Sequence, residues 1–360
     1  MIPYIEILDK YTRKALALVE PSEFWFELSY YGVGEFEIYA RASKENLNAL
    51  KKGNWAKIPN KPYVWLIEEI SYEFDAEGSR MVSAKGREAK SILSKRIIRK
   101  QTELPKDLTS AVFALVKENA SEDALIESRR IKGFLAKEAD YTESLTNTQA
   151  TRGDLGEFVN SLLKSFKWGS IVYMGNEYLY FIAYKGEDKT NRVKFSQSMD
   201  NLLKTEYRTD DSDKRTNSLV VSTVDDTDFE NEVDKGATGI DRSEILIESS
   251  LSTEYTPEGA TEPVKLDPAN PEKPEDKALY LSWLKEEGRL KLYDHQTEEE
   301  IGGEIDLINS GLEFGKDFFL GDVVRIQDEY FGFYKDARIT KFTFKQGADG
   351  YGEEAEYGDE

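Results

Sequence analysis

The stretch GDVVRIQDEYFGFYKDARITKFTFKQGADGYGEEAEYGDE, Gly321 to Glu360, decides how the rest of the chain is read. A Gly-Asp turn precedes a run in which Val324 and Ile326 share one face and Val323 and Arg325 the other. Gly332 then centres a hairpin, and Ala337 to Phe344 alternates again. Period two bounded by turn residues predicts strands, so this end of the chain is a β meander that runs into an acidic terminus. Asp322 is read as a turn residue.

The same period governs the opening of the chain. Phe24, Phe26, Leu28 and Tyr30 share a face, Gly32-Val33-Gly34 turns the chain, and Phe36, Ile38 and Ala40 return. Tyr63 to Ile67, Ile70/Tyr72/Phe74 and Met81 to Ala84 continue the sheet beyond the Gly53 to Pro62 loop, with Gly78 marking a further turn. The pattern predicts a small barrel or sandwich.

Helical spacing begins at Gly86, with Ala89, Ile92, Leu93, Arg96 and Ile97 on one stripe ending in Arg99-Lys100. The cations Lys95, Arg96, Arg99 and Lys100 are read as complements to a helix macrodipole in preference to a nucleic-acid patch. Asp107 is the expected N-cap of a second helix, with short strands around Leu125 to Leu135. Leu155, Phe158, Val159, Leu162, Leu163 and Phe166 form the apolar stripe of a third helix after Thr151 or Asp154. Trp168 to Met174 and Glu177 to Tyr184 predict a hairpin about Gly175-Asn176. Arg192 to Phe195, Leu202 to Tyr207 and Ser218 to Thr223 are expected to complete a second barrel.

Pro257, Pro263, Pro268, Pro271 and Pro274 fall within an acidic stretch whose composition predicts a surface loop without a core. A helix through Leu279, Trp283, Leu284 and Leu290 follows, and Ile301 to Ile308 opens the terminal sheet. The expected fold is α+β and β-rich, with two barrel or sandwich domains flanking an α+β middle. The segments are 1–100 (barrel with closing helix), 101–190 (middle), 191–255 (strands of the second barrel), 256–276 (Pro-rich loop) and 277–360 (helix and completing strands).

At 360 residues the chain can bury a sizeable interior, and a formal charge of −21 disfavours nucleic acid and anionic membranes as partners. It contains no cysteine, which excludes disulfides, thiolate metal sites and a cysteine nucleophile. Neither a secretory leader nor a membrane-spanning segment is expected.

The inventory for catalysis is thin. His295 is the only histidine and sits in a polar run, so histidine-rich metal sites and a Ser-His arrangement are not expected. Gly32-Val33-Gly34 lacks the third glycine and the strand-to-helix context of a dinucleotide fingerprint. Asp225, Asp226, Asp228 and Glu230 cluster but lack the glycine and distal glutamate of an EF-hand, which makes them a solvated turn. With sixty-nine carboxylates, nothing singles out a pair for glycoside chemistry. No catalytic, cofactor-binding or metal-binding residue is assigned, and no cofactor is expected.

Leu320-Gly321-Asp322, Val324, Gly332, Ala337-Arg338-Ile339-Thr340 and a closing Tyr-Gly together resemble the end of hub proteins at the distal tip of siphophage tails, the N-terminal module of tail-associated proteins. Tyr4 to Asp9, Phe24-Trp25-Phe26-Glu27-Leu28 and Gly34-Glu35-Phe36-Glu37-Ile38 resemble their opening. Gly86-Arg87-Glu88-Ala89 with Ser91 to Arg96 resembles a segment between. The likeness runs unevenly over nearly the whole chain.

This resemblance implies two tail-tube-like domains and a homotrimer that presents a pseudo-sixfold face to a hexameric tail. It implies symmetry adaptation, closure of the lumen and anchorage of host-recognition proteins, without enzymatic activity. The implied partners are a distal tail protein, a tape measure protein and a receptor-binding protein or tail fibre. DNA would pass through the lumen without stable binding, and the location would be the virion tail tip. A phage-derived injection device would use the same fold. The alternative is a carbohydrate-binding or carbohydrate-active β protein, motivated by five Trp and twenty Tyr.

Overall fold

The computed structural model describes residues 4–74, 80–146, 148–306, 311–348 and 350–358. The expected turn at Gly78 and the end of the Ile301–Ile308 run lie outside these residues. The chain is α+β and β-rich.

The N-terminal part contains β1 (Ile5–Leu8), β2 (Ala15–Val19), β3 (Pro21–Ser29), β4 (Glu35–Arg41), a short α1 (Lys44–Ala49), β5 (Trp55–Lys57), β6 (Val64–Phe74) and β7 (Arg80–Glu88). The middle part contains β8 (Ile97–Ile98), β9 (Thr102–Glu103), α2 (Leu108–Asn119), β10 (Phe134–Lys137), β11 (Gln149–Ala150), β12 (Gly153–Asp154), α3 (Leu155–Lys164), β13 (Gly169–Gly175) and β14 (Tyr178–Tyr184). Beyond it come β15 (Lys194–Ser196), β16 (Leu202–Asp210), β17 (Asn217–Val224), β18 (Thr227–Asp234), β19 (Glu244–Glu248), β20 (Glu254–Tyr255), β21 (Val264–Lys265) and α4 (Pro274–Asp294). The chain closes with β22 (Glu298–Ile305), β23 (Val323–Asp328), β24 (Phe333–Gly347) and β25 (Gly350–Gly358).

Both ends of the chain belong to one thirteen-stranded sheet in the order β16-β22-β25-β24-β3-β4-β7-β6-β5-β1-β2, with β15 and β23 joined beside β24. The seam is the antiparallel β3–β24 pair, which sets Leu28 against Phe342 and Phe26 against Phe344. The alternation that predicts the strands also fills one core beneath this seam. Phe26 stacks on Phe36 at 5.1 Å, and Phe314 stacks on Phe342 at 3.7 Å. The Trp65 indole N–H donates to the Glu27 carbonyl at 2.8 Å, which satisfies the polar end of a fully buried ring.

The terminal meander has a third strand, β25, that alternation does not reveal. Its inward residues are only Ala355 and Tyr357, and its glutamates are offset by Lys341 on Glu356 (3.0 Å) and Lys345 on Glu354. The helix expected from Gly86 is a correction: β7 runs to Glu88, and Ala89–Lys95 is a 3-10 helix. Ladder pairing claims Gly86, where a Cβ would lie 1.9 Å from the Leu66 carbonyl oxygen, so only glycine admits β6 this close.

The second and third helices form as expected. Asp107 accepts from the Ser110 N–H and Asp154 from the Glu157 N–H, each at 2.8 Å. The β13–β14 turn is one residue later than expected, at Asn176-Glu177. Both residues adopt positive φ (50° and 69°), and Arg13 ties the Glu177 carbonyl.

β17 is a second correction, because it joins no barrel. It forms a separate β18-β17-β19 sheet that packs on α4. The Pro-rich stretch is a third: it contains β21, and Leu266 joins Tyr255, Tyr280 and Trp283 in the small core of this unit.

Candidate assembly surfaces

Leu320, Gly321, Asp322, Arg338 and Glu88, each within a family-like motif, meet Tyr30 and Tyr184 at one buried joint. Tyr30 is fully buried; its hydroxyl donates to the Tyr184 carbonyl (3.0 Å) and accepts from the Gly186 N–H (3.1 Å). The Tyr184 hydroxyl donates to the Leu320 carbonyl at 2.7 Å. Asp322 accepts from the Glu187 N–H (2.8 Å) and the Phe319 N–H (2.9 Å), and an Arg338 Nη donates to the Gly321 carbonyl (2.6 Å). Asp322 is therefore more than a turn residue, since it fastens the meander to the middle part.

Glu88 and Lys90 complete the joint from below as a buried pair at 3.1 Å. The ammonium also donates to the Ser29 and Ser170 carbonyls, and Glu88 accepts from the Ser29 N–H. Burial raises the Glu88 carboxyl above its ordinary range and lowers the Lys90 ammonium, with the opposite charge and hydrogen bonds working against both shifts. The signals in the sequence for this site are Gly169 and Gly186, which no turn explains, together with the turn glycine Gly321. A Cβ on Gly169 or on Gly321 would lie 2.3 Å from the Tyr30 ring, and one on Gly186 would lie 1.8 Å from the Gly321 carbonyl oxygen.

The joint holds the large sheet so that two strands end it. β2 and β16 are terminal in the strand order, and each pairs with a single strand among the described residues. β2 exposes Leu16 and Leu18; β16 exposes Leu203 and Tyr207. Beside β16 a wide groove runs to the β23–β24 hairpin, where Phe331 and Tyr334 are exposed. Apolar strand edges of this kind are ready templates for pairing with another chain.

A smaller cleft of about 260 Å³ lies between α3 and α4. Phe158, Leu162, Trp283 and Leu290 give it apolar walls, and Arg152 and Glu157 are among the charged residues lining it. The Gln149 amide and the Trp283 indole N–H have no hydrogen-bond partner among the described residues.

Residues weighed from the sequence lie apart from these surfaces. His295 follows α4 and bonds Asp213 at 2.7 Å. Asp225 and Asp226 form the β17–β18 turn at positive φ (47° and 60°). Among the described residues, no group of three or more His, Cys, Asp or Glu is placed to hold a metal ion. No helix among them is long and apolar enough to cross a membrane. Trp65, Trp168 and Trp283 are fully buried, so most of the tryptophan behind the carbohydrate alternative is core.

The strand order thus joins the two ends of the chain in one sheet, with an α+β part between them. The chain is similar in structure to the tail protein from Neisseria meningitidis MC58, with a TM-score of 0.58 at 11% identity over 99% of this chain and 96% of that one. It is similar also to the 43 kDa tail protein of prophage MuSo2 from Shewanella oneidensis, with a TM-score of 0.55 at 12% identity over 98% of each. Among curated proteins none matches. The sequence profile of the Siphovirus ReqiPepy6 Gp37-like protein family matches residues 4–359, and the chain belongs to that family. The family is named for a siphovirus protein, and the fold is one shared with those two tail proteins.

Proposed function

We propose that three copies of this chain form the hub at the distal end of a siphophage tail. The observation that carries this reading is the pair of strands, β2 and β16, that end one continuous sheet among the described residues and expose Leu16, Leu18 and Leu203. Pairing β2 of one copy with β16 of the next is a heterologous contact, and a heterologous contact that closes makes a ring. Two sheet halves per copy would give such a ring a pseudo-sixfold face to set against a hexameric tail.

In this reading the hub adapts sixfold to threefold symmetry, closes the lumen and anchors a receptor-binding protein or fibre. Its neighbours are the distal tail protein and the tape measure protein, and its role is architectural, without catalysis. The net charge of −21 suits a conduit from which DNA phosphates are repelled.

Light scattering on the purified chain, alone and mixed with its neighbouring tail proteins, tests the reading. A trimeric mass that falls to a monomer in Leu18→Lys or Leu203→Lys, with circular dichroism unchanged, is the expected result. A chain that remains monomeric in every mixture would overturn it.

A further inference from the structure

Arg96, Arg99, Lys100, Arg129 and Arg152 gather around the short β8–β12 pair on a chain of net charge −21. A helix C-terminus would account for such a cluster through its dipole. The helix that the sequence suggests does not end there: the preceding turn is a 3-10 helix that stops at Lys95, and Ile97-Ile98 is a strand; of the five cations, Arg129 reaches the end of α2 at Asn119. The charge therefore lacks the partner that the sequence suggests for it.

Ion pairing does not supply one. Lys95 reaches Glu68, but none of the five cations forms a salt bridge with a carboxylate among the described residues. Carbonyl groups hold them instead. Arg129 donates to the Ile97 carbonyl (2.7 Å) and to Asn119 Oδ1 (3.1 Å), Arg96 donates to the Arg129 carbonyl (3.3 Å), and Arg152 Nε donates to the Arg99 carbonyl (3.2 Å). The Arg96 Nε is buried with no acceptor among the described residues.

The cluster is also close-set. Arg99 follows Ile98 and Arg152 precedes Gly153 at the end of the two-residue ladder, and Arg152 Nε reaches the Arg99 carbonyl. Burial, with repulsion from Arg96 and Arg99, lowers the Arg129 guanidinium below its usual range.

We propose that this cluster is a docking site for an acidic peptide segment of a partner protein, with Arg99 and Arg152 taking its carboxylates and Ile97 contacting an apolar residue beside them. Guanidinium forks suit carboxylate and phosphate alike. Two observations favour a peptide. Ile97, 56% exposed, lies among the cations and offers nothing to a phosphate backbone. The remaining surface is acidic, so a long polyanion meets repulsion beyond the patch, whereas a short segment stays within a Debye length of about 8 Å.

The test is fluorescence anisotropy on the full chain with two labelled probes, a short Glu- and Leu-containing peptide and a DNA duplex of matched charge. The peptide is expected to bind, and Arg99→Ala and Arg152→Ala are each expected to weaken it about tenfold, the size of one charge-assisted contact. Arg152→Lys should restore little, because an ammonium has no fork. Lys44→Ala, which removes an exposed charge elsewhere, should change nothing, and circular dichroism shows whether each variant is folded. Duplex binding as tight as the peptide, peptide binding indifferent to both alanine variants, or no peptide binding would each overturn the proposal. The site is independent of the strand edges, so it can fail while a trimer persists.

Discussion

The joint at Tyr30 and the unit of β17–β19 with α4 are both small, buried and aromatic, yet they are held by opposite means. At the joint, backbone meets ring: Gly169 and Gly321 lie against Tyr30 with no room for a Cβ, and the polar atoms around it are bonded to carbonyls and N–H groups of distant segments. In the β17–β19 unit, side chain meets side chain. Tyr255 packs edge-on to Trp283 at 4.7 Å, and Phe229 edge-on to Tyr280 at 5.6 Å, while the other face of the sheet carries exposed Glu230, Glu232 and Glu244. Backbone contacts fix position within tenths of an ångström, whereas side-chain contacts can repack. The difference teaches which part sets the geometry of the sheet and which part is peripheral to it.

The sharpest way to break this contrast is to add one methyl group to each region. At Gly321, φ is +91° and a Cβ would lie 2.3 Å from the Tyr30 ring, so Gly321→Ala combines backbone strain with overpacking. A loss of more than about 4 kcal/mol is expected, seen as failure of the large sheet to fold cooperatively. Gly288 lies inside α4, where a Cβ would meet Ser218 Oγ at 2.7 Å and a Val220 methyl at 2.9 Å, atoms on side chains that can turn. Alanine there gains about 1 kcal/mol of helix propensity against that crowding. Hydrogen exchange should therefore quicken only in β17, β18 and α4. Equal, global losses from the two substitutions would abolish the distinction.

A somewhat smaller effect should follow from cutting the buried pair. Lys90→Met leaves the Glu88 carboxylate in the interior facing an apolar side chain, and breaking a buried pair from one side costs about 3–5 kcal/mol. Adding Glu88→Gln removes the uncompensated charge and should restore part of the loss in urea denaturation. If the double variant is worse than Lys90→Met alone, the pair itself, and not the stranded charge, is what the joint depends on.

Much of this was legible in advance, for physical reasons that differ by region. The strands at Phe24 and Val324 bury one face, so period two is written into them, and Asp107 and Asp154 announce their helices through caps. β25 was hidden because only Ala355 and Tyr357 are buried along it, while its glutamates are paired with lysines of the neighbouring β24. The segment after Gly86 carries helical spacing, yet β4 and β6 both pair with Gly86, and that pairing overrides local preference. The seam between β3 and β24 joins residues about three hundred positions apart, and bonds of the joint at Tyr30 span 135 to 156 positions. No local pattern encodes such contacts; only the unexplained glycines mark them.

The smallest expected effect tests whether Asp322 belongs to the joint or only to its turn. Burial raises its carboxyl above the ordinary value of 3.8, while the N–H groups of Glu187 and Phe319 pull it partly back. A folded pKa above the unfolded one means that its contribution to stability is fully present below pH 3.8 and is lost as pH rises through the raised value. Asparagine does not titrate, and its amide replaces one acceptor oxygen, at a cost of about 1 kcal/mol. The gap in melting temperature between wild type and Asp322→Asn should accordingly be wider at acidic pH, close to the ordinary carboxylate range, than at neutral pH. A gap that narrows on acidification would place Asp322 among the solvated turn aspartates, such as Asp188, whose carboxyl is held low by hydrogen bonds from Thr190. The meander would then be held to the middle part by the Tyr184 hydroxyl and by the backbone bonds of Val323 to Glu187 and Lys189.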